Sequence, residues 1–412
     1  MTTFALLAIL ITITALLSYL NERYLRLPPA IGVMTAALGV SIVLILLGQF
    51  GLPVDRWAEG ILQQVDFNAV LMEGMLSFLL FAGALHVNLE DLLGRKWSIL
   101  SLATFGVVLS TLLVGTAIWG VVSLIGLHIS YVHALLFGAL ISPTDPIAVL
   151  SILRTANPPK SLEVMITGES LFNDGVGVVV FIMIMGFLTG GSHVSISGAA
   201  ELFLLEAIGG VVLGFALGYL AYRLIKDVDN YTVEILLTLS LVAGGYALAD
   251  AIHTSGPIAM VVAGLLIGNH GRVYGMSEST REQLDQFWEL TDELLNAILF
   301  VLIGFELLVL ELKPAYLAVG LFAIPLVLLV RVISVWIPIS ALKTFRTFHT
   351  HTVRMMTWCG VRGGISIALA LSIPASPQRD LILVITYTVV VFSILVQGLT
   401  VGRLARWVAA KT

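Results

Sequence analysis

Long apolar stretches recur from one end of the chain to the other, separated by short clusters of charged and turn-forming residues. Read at the length that crosses about 30 Å of hydrocarbon, the pattern predicts thirteen membrane-spanning helices. They fall near residues 2–20, 28–50, 68–87, 97–126, 131–153, 164–190, 199–222, 232–252, 257–270, 286–310, 315–342, 354–374 and 380–402, the ninth being the shortest. Two spans are interrupted. Ser142-Pro143-Thr144-Asp145-Pro146 sets two prolines around a polar pair in the fifth, and each proline removes a backbone donor. Cys359-Gly360-Val361-Arg362-Gly363-Gly364 places three glycines in the twelfth, where they cost helix stability and permit unwinding. If residues 1–190 (spans 1–6) and 232–412 (spans 8–13) are two repeats joined by span 7 (199–226), both breaks are fifth members. Breaks at matching positions mark an inverted-repeat transporter with its site near the bilayer midplane. The odd linking span supplies the inversion.

Composition narrows the class. The 412 residues are 58% apolar and 11% charged, against about 25% charged in an average soluble domain. A soluble globular protein is excluded, and the expected fold is an all-α membrane protein. The first stretch has no basic residue before it and no small-residue cleavage pattern after it, so it reads as a retained helix. Cytoplasmic loops collect Lys and Arg, and thirteen crossings divide the 21 basic residues sharply. One side receives sixteen, among them Arg23, Arg95, Arg154, Lys160, Arg223, Arg272, Lys343, Arg354 and Arg406. The other receives only Arg56, Lys313 and Arg379, while Arg331 and Arg362 lie inside spans. This predicts a multi-pass protein of the cell (inner) membrane with its N-terminus outside and its C-terminus cytoplasmic. Loops of at most about 20 residues leave no room for a soluble domain. No basic patch suggests nucleic acid, and the single Cys359 offers neither a disulfide nor a thiolate metal site.

Ionisable groups in hydrocarbon are functional candidates unless they pair or line water. Singled out within the spans are Glu73, Asp145, Glu169, Asp174, Asp250, Glu306, Arg331 and Arg362. The densest cluster is Gly168-Glu169-Ser170-Leu171-Phe172-Asn173-Asp174-Gly175 in the sixth span. Helical spacing joins Ser170 to Asp174 and Glu169 to Asn173 on adjoining stripes. The unwound fifth span adds the Thr144 carbonyl and hydroxyl and the Asp145 carboxylate. Oxygen ligands of this kind suit a hard cation such as Na⁺, and unwound backbone at this depth must be buried in protein or line a cavity. Arg331 and Arg362 need anions nearby. Glu169 is the natural partner of one of them, which leaves Asp174 as the acid free to titrate. Glu73 and Glu306 read equally well as lining an access funnel or meeting a dimer partner. Asp250, beside His253, reads as solvated, as do His349 and His351 in a basic loop, and no histidine pair has metal-ligand spacing.

Five motifs then carry a family resemblance that covers the whole chain. These are Ser-Pro-Thr-Asp-Pro-Ile-Ala-Val at 142–149, Gly-Glu-Ser-Leu-Phe-Asn-Asp-Gly at 168–175, the Ser-Gly-Pro run at 255–269, Leu-Asn-Ala-Ile-Leu-Phe-Val-Leu-Ile-Gly-Phe-Glu at 295–306 and Gly-Val-Arg-Gly-Gly-Ile-Ser at 360–366. In this order they resemble the bacterial branch of the monovalent cation:proton antiporter-1 family, the sodium/proton antiporters of NhaP type. The resemblance implies a thirteen-helix homodimer in which a six-helix core moves against a dimerisation domain. It implies that Asp174 is the carboxylate shared by cation and proton, with Thr144, Asp145 and Ser170 as further ligands. It further implies Asn173 as the neutral member of an Asn-Asp pair that accompanies electroneutral exchange, Arg331 as the partner of Glu169, and Arg362 as a support of the crossing.

The expected activity is exchange of Na⁺ or Li⁺ for H⁺ by competition for one buried carboxylate. Burial favours the protonated acid and a bound cation the ionised one, so proton and cation exclude each other. No cofactor is called for, the substrates being the cation and the proton. Exchange of K⁺ at the same site is the nearest alternative, and a gated cation channel is a more distant one. An intramembrane enzyme lacks support, since neither Gly-x-Ser-x-Gly nor His-Glu-x-x-His occurs.

Overall fold

With no water inside a bilayer to satisfy backbone groups, each crossing must close its own hydrogen bonds, and the chain does so by helices throughout its described residues. The computed structural model describes residues 2–50, 60, 67, 70–145, 158–189 and 196–411. In chain order the spans are α1 (Thr3–Leu20, running on through a π-helical turn at Asn21–Leu25), α2 (Pro29–Gln49), α3 (Val70–Leu85) and α4 (Lys96–Leu124). Then come α5 (Tyr131–Ile141), α6 (Lys160–Thr189), α7 (Ile196–Lys226) and α8 (Tyr231–Ala251). The helix α9 covers Gly256–Leu266 and continues to Tyr274 through a π-helical turn. Last are α10 (Glu278–Glu306), α11 (Pro314–Leu342), α12 in two pieces (Thr352–Trp358 and Gly364–Leu371) and α13 (Pro377–Ala409). The second half of the fifth span, with Pro146 and Arg154, lies outside the described residues, as do Arg56 and the side chain of Glu73.

Small polar residues at the loop ends start the helices. Ser130, Asn230, Ser255, Ser277 and Ser376 each accept a hydrogen bond from a backbone N–H in the first turn of α5, α8, α9, α10 and α13. Each such cap satisfies a donor that the helix itself leaves open.

Two spans differ most from the hydropathy reading. The helix α10 begins at Glu278 rather than near 286, because its first half is amphipathic and an averaged apolar window passes over it. Thr280, Leu284 and Trp288 are buried on one stripe, and Trp288 donates its indole N–H to Thr238 Oγ1 of α8 at 3.1 Å. For the same reason α13 extends to Ala409: Val401, Ala405 and Val408 are buried while Arg403 and Arg406 face out.

The core falls into two main clusters. The larger joins α4, α5, α6, α11, α12 and α13, with Leu299, Phe300 and Ile303 of α10. The second joins α7, α8 and α9 around Phe81, Leu284 and Trp288. Both α3 and α10 contribute to each, so these two helices bridge the clusters.

Candidate cation site

The break in α5 begins where Ser142 Oγ donates to Gly138 O at 2.6 Å, after which the chain leaves the helix. The last carbonyls of a helix lack intrahelical donors and carry the negative end of its dipole. Here one guanidinium serves them: Arg362 Nη1 donates to Ser142 O at 2.5 Å and to Pro143 O at 2.8 Å. Arg362 comes from the break in α12, and the two breaks also meet directly, Asp145 N–H donating to Val361 O at 2.7 Å. A Cβ on Gly363 would overlap the Asp145 carboxylate, so glycine is required there for this close approach. A π-helical turn at Ser393–Gly398 in α13 braces the crossing. Arg362 N–H donates to Ser393 Oγ at 2.9 Å, Ser393 to Gln397 Oε1 at 2.6 Å, and Gln397 Nε2 to Trp358 O at 3.2 Å.

The polar cluster of α6 divides between two neighbours. Ser170 and Asn173 face the α5 break. Thr144 N–H donates to Asn173 Oδ1 at 3.2 Å, Asn173 Nδ2 donates to Thr144 Oγ1 at 2.8 Å, and the Thr144 and Ser170 hydroxyls are 2.9 Å apart. Glu169 faces α11 instead, in a two-pronged ion pair with Arg331: Nη1 to Oε1 at 2.5 Å and Nη2 to Oε2 at 2.7 Å. Nη2 also donates to Met356 O at 3.1 Å. Asp174 is 5% exposed and has no hydrogen bond or ion pair among the described residues. It interacts electrostatically with Asp145 and Arg362. Gly177, one turn further on, admits the Pro143 ring.

Asp145, Thr144, Ser170, Asn173, Asp174 and Arg362 are thus assembled around the crossing, with Glu169 and Arg331 held together beside it. Ser393 and Gln397 have no part in the sequence reading. Their signal is faint, two polar residues four apart in an apolar run, which fixes a shared helix face and no partner. Of the other intramembrane acids, Glu306 is buried and Asp250 is exposed.

Among the described residues Arg331 Nε is buried without a hydrogen-bond partner, beside a small cavity lined in part by Gly360, Arg362 and Gln397. A Cβ on Gly360 would stand 2.7 Å from Arg331 Nε and 3.2 Å from its central carbon. Gly360→Ala is therefore expected to displace the guanidinium and to cost about 1–3 kcal/mol, as overpacking does. Thermal unfolding in detergent reads the loss, and an unchanged midpoint would show that the neighbourhood yields freely.

A family model described as sodium/hydrogen exchanger, transmembrane, matches residues 9–407. The chain belongs to this family. It is 50% identical to the Na⁺/H⁺ antiporter NhaP of Pseudomonas aeruginosa, over 98% of this chain and 97% of that protein. It is 34% identical to the Na⁺/H⁺ antiporter NhaH of Halobacillus dabanensis, over 97% and 96% respectively. Its fold is that of the sodium proton antiporter MjNhaP1 from Methanocaldococcus jannaschii, determined at pH 8, with a TM-score of 0.76, 20% identity and coverage of 98% of this chain and 97% of that one. The family motifs at 142–149, 168–175 and 360–366 supply the polar groups that meet at the crossing, as far as the described residues reach.

Proposed function

We propose that this chain exchanges Na⁺ for H⁺ across the bacterial inner membrane, one for one and by alternating access, with Asp174 as the carboxylate both cargoes occupy. The observation that carries this is the pairing pattern. Glu169 is neutralised by Arg331, while Asp174 is buried, interacts electrostatically with Asp145 and Arg362, and follows Asn173, which is bonded to the unwound backbone at Thr144. Charge arithmetic supports the stoichiometry. With Glu169 and Arg331 cancelling, Arg362 opposes the two carboxylates of Asp145 and Asp174, leaving one net negative charge in the empty site. One Na⁺ or one proton brings it to zero. A charged site is costly to carry through hydrocarbon, so the loaded states cross and the empty state does not. Thr144, Ser170 and Asp145 supply further oxygen ligands for the dehydrated cation, and the crossing held by Arg362 keeps them in register.

The same reading takes residues 1–190 and 232–412 as inverted repeats around the span at 199–226. It takes the protein as a homodimer whose core, built on α4–α6 and α11–α13, moves against the rest, with the N-terminus outside and the C-terminus in the cytoplasm. It needs no cofactor and no catalytic group.

The test is a pH-sensitive dye in inside-out vesicles, with Na⁺, Li⁺ and K⁺ added in turn. Na⁺ is expected to collapse the proton gradient at a rate indifferent to an imposed membrane potential. A response to K⁺ alone would reassign the cargo, and a steady current under a sodium gradient would replace exchange by conduction.

A further inference from the structure

Three structural corners meet on the face that carries most of the basic loop residues. The turn before α4 and the loop between α11 and α12 are laced together, Arg346 Nη1 donating to Gly94 O at 2.6 Å and Arg95 Nη1 to Thr347 O at 3.3 Å. The end of α13 joins them through His351, whose ring lies 4.7 Å from that of Trp407, while Lys411 stands 4.3 Å over the same indole. The His351 imidazole is pushed below its usual range first by burial and then by its neighbours Arg354, His349 and Lys411.

Positive charge accumulates here without compensation. Among the described residues Lys96, Lys343, Arg354, Arg403, Arg406 and Lys411 form no ion pair. Of the acids on the neighbouring short helix Leu89–Gly94, Asp91 is bound to Lys160 at 2.7 Å and Glu90 is exposed. A general excess of Lys and Arg on this face would not by itself make a patch. The charges are segregated, however, since the first half of α10 presents the exposed acids Glu278, Glu282, Glu289 and Glu293. Aromatic side chains stand among the cations: the amphipathic Trp97 is 58% exposed and the apolar Phe345 84%. Below them, Leu100 and Phe105 of α4 and Val396 and Leu399 of α13 expose apolar surface.

We propose that this patch, formed by the start of α4, the α11–α12 loop and the end of α13, binds the headgroup of an anionic phospholipid. Its phosphate is received by the unpaired lysines and arginines and its acyl chains run down the apolar flanks of α4 and α13. Interfacial tryptophans and clustered cations are the two elements such recognition uses. The apolar flank continuous with the patch points to a lipid rather than a free anion. The assignment rests on the orientation proposed above only for the leaflet, which is the cytoplasmic one.

The test places the purified protein in nanodiscs of phosphatidylcholine, with and without about one third phosphatidylglycerol, and follows thermal unfolding. Phosphatidylglycerol is expected to raise the midpoint by roughly 2–4 °C, an effect reduced at high salt because the contacts are exposed. The variant Lys96→Gln/Lys343→Gln/Arg406→Gln/Lys411→Gln should lose at least half of that rise. Arg223→Gln/Lys226→Gln, removing two cations elsewhere on the same face, should keep it. Three results would overturn the proposal: the fourfold variant keeps the whole rise, the control loses as much as the fourfold variant, or inorganic phosphate in phosphatidylcholine discs reproduces it. Because unfolding is read without transport, a wrong cargo assignment and a wrong lipid assignment fail separately.

Discussion

Asp174→Asn is expected to abolish sodium-driven proton movement in vesicles, with at least a hundredfold loss of rate and little loss of fold. The change keeps the size and much of the polarity of the side chain and removes the carboxylate proposed to hold either cargo. Asn carries no charge, so the site loses the attraction that offsets dehydration of Na⁺, a cost of several kcal/mol when an ion leaves water. Asn also cannot take up a proton. Stability should change little, because among the described residues the Asp174 carboxylate makes no hydrogen bond or ion pair and Arg362 stays tied to Ser142 and Pro143. In the unchanged protein the proposed competition is expected to make exchange bell-shaped in pH, protons displacing the cation at the acid end and running short at the alkaline end. Substantial sodium-driven proton flux through Asp174→Asn would falsify the assignment of the shared carboxylate.

Arg331→Ala is expected to destabilise the protein by about 3–5 kcal/mol, the penalty for breaking a buried ion pair by removing one partner. Glu169 would be left 1% exposed with its only ion-pair partner among the described residues gone. The hydrogen bond to Met356 O would go with it, loosening the first piece of α12 from α11. The diagnostic comparison is the double variant Arg331→Ala/Glu169→Gln, which removes both charges and should regain part of the lost stability. Arg331→Lys should fall between, since an ammonium cannot reproduce the two-pronged contact. The measurement is the thermal midpoint in detergent alongside exchange in vesicles. If Arg331→Ala unfolds at the parental midpoint, the pair is not what anchors α6 to α11.

Much of this architecture is legible one helix at a time. Span positions follow from the length of apolar runs, as for α2, α8 and α11, whose limits fall within a residue or two of the hydropathy reading. The reading was less close for α10 and α13, where an amphipathic end buries a stripe too narrow to raise the average. Both breaks were legible because proline and glycine act locally, whatever surrounds them. The α6 cluster was legible as a polar face, while its division was not. Glu169 and Asn173 share a stripe four residues apart, yet one turns to Arg331 and the other to Thr144.

The sequence alone therefore determined the membrane class, the number of crossings, the two interruptions and the ionisable residues that gather at them. These depend on the hydrophobic effect and on backbone propensities, which act within a helix. The tertiary structure decided the pairings: that Arg331 meets Glu169 across 162 residues, that Arg362 closes the open carbonyls of α5, and that Ser393 and Gln397 brace the crossing. By position in apolar runs alone two arginines are equivalent candidates for one carboxylate; the family resemblance favours Arg331, and packing is what brings it there.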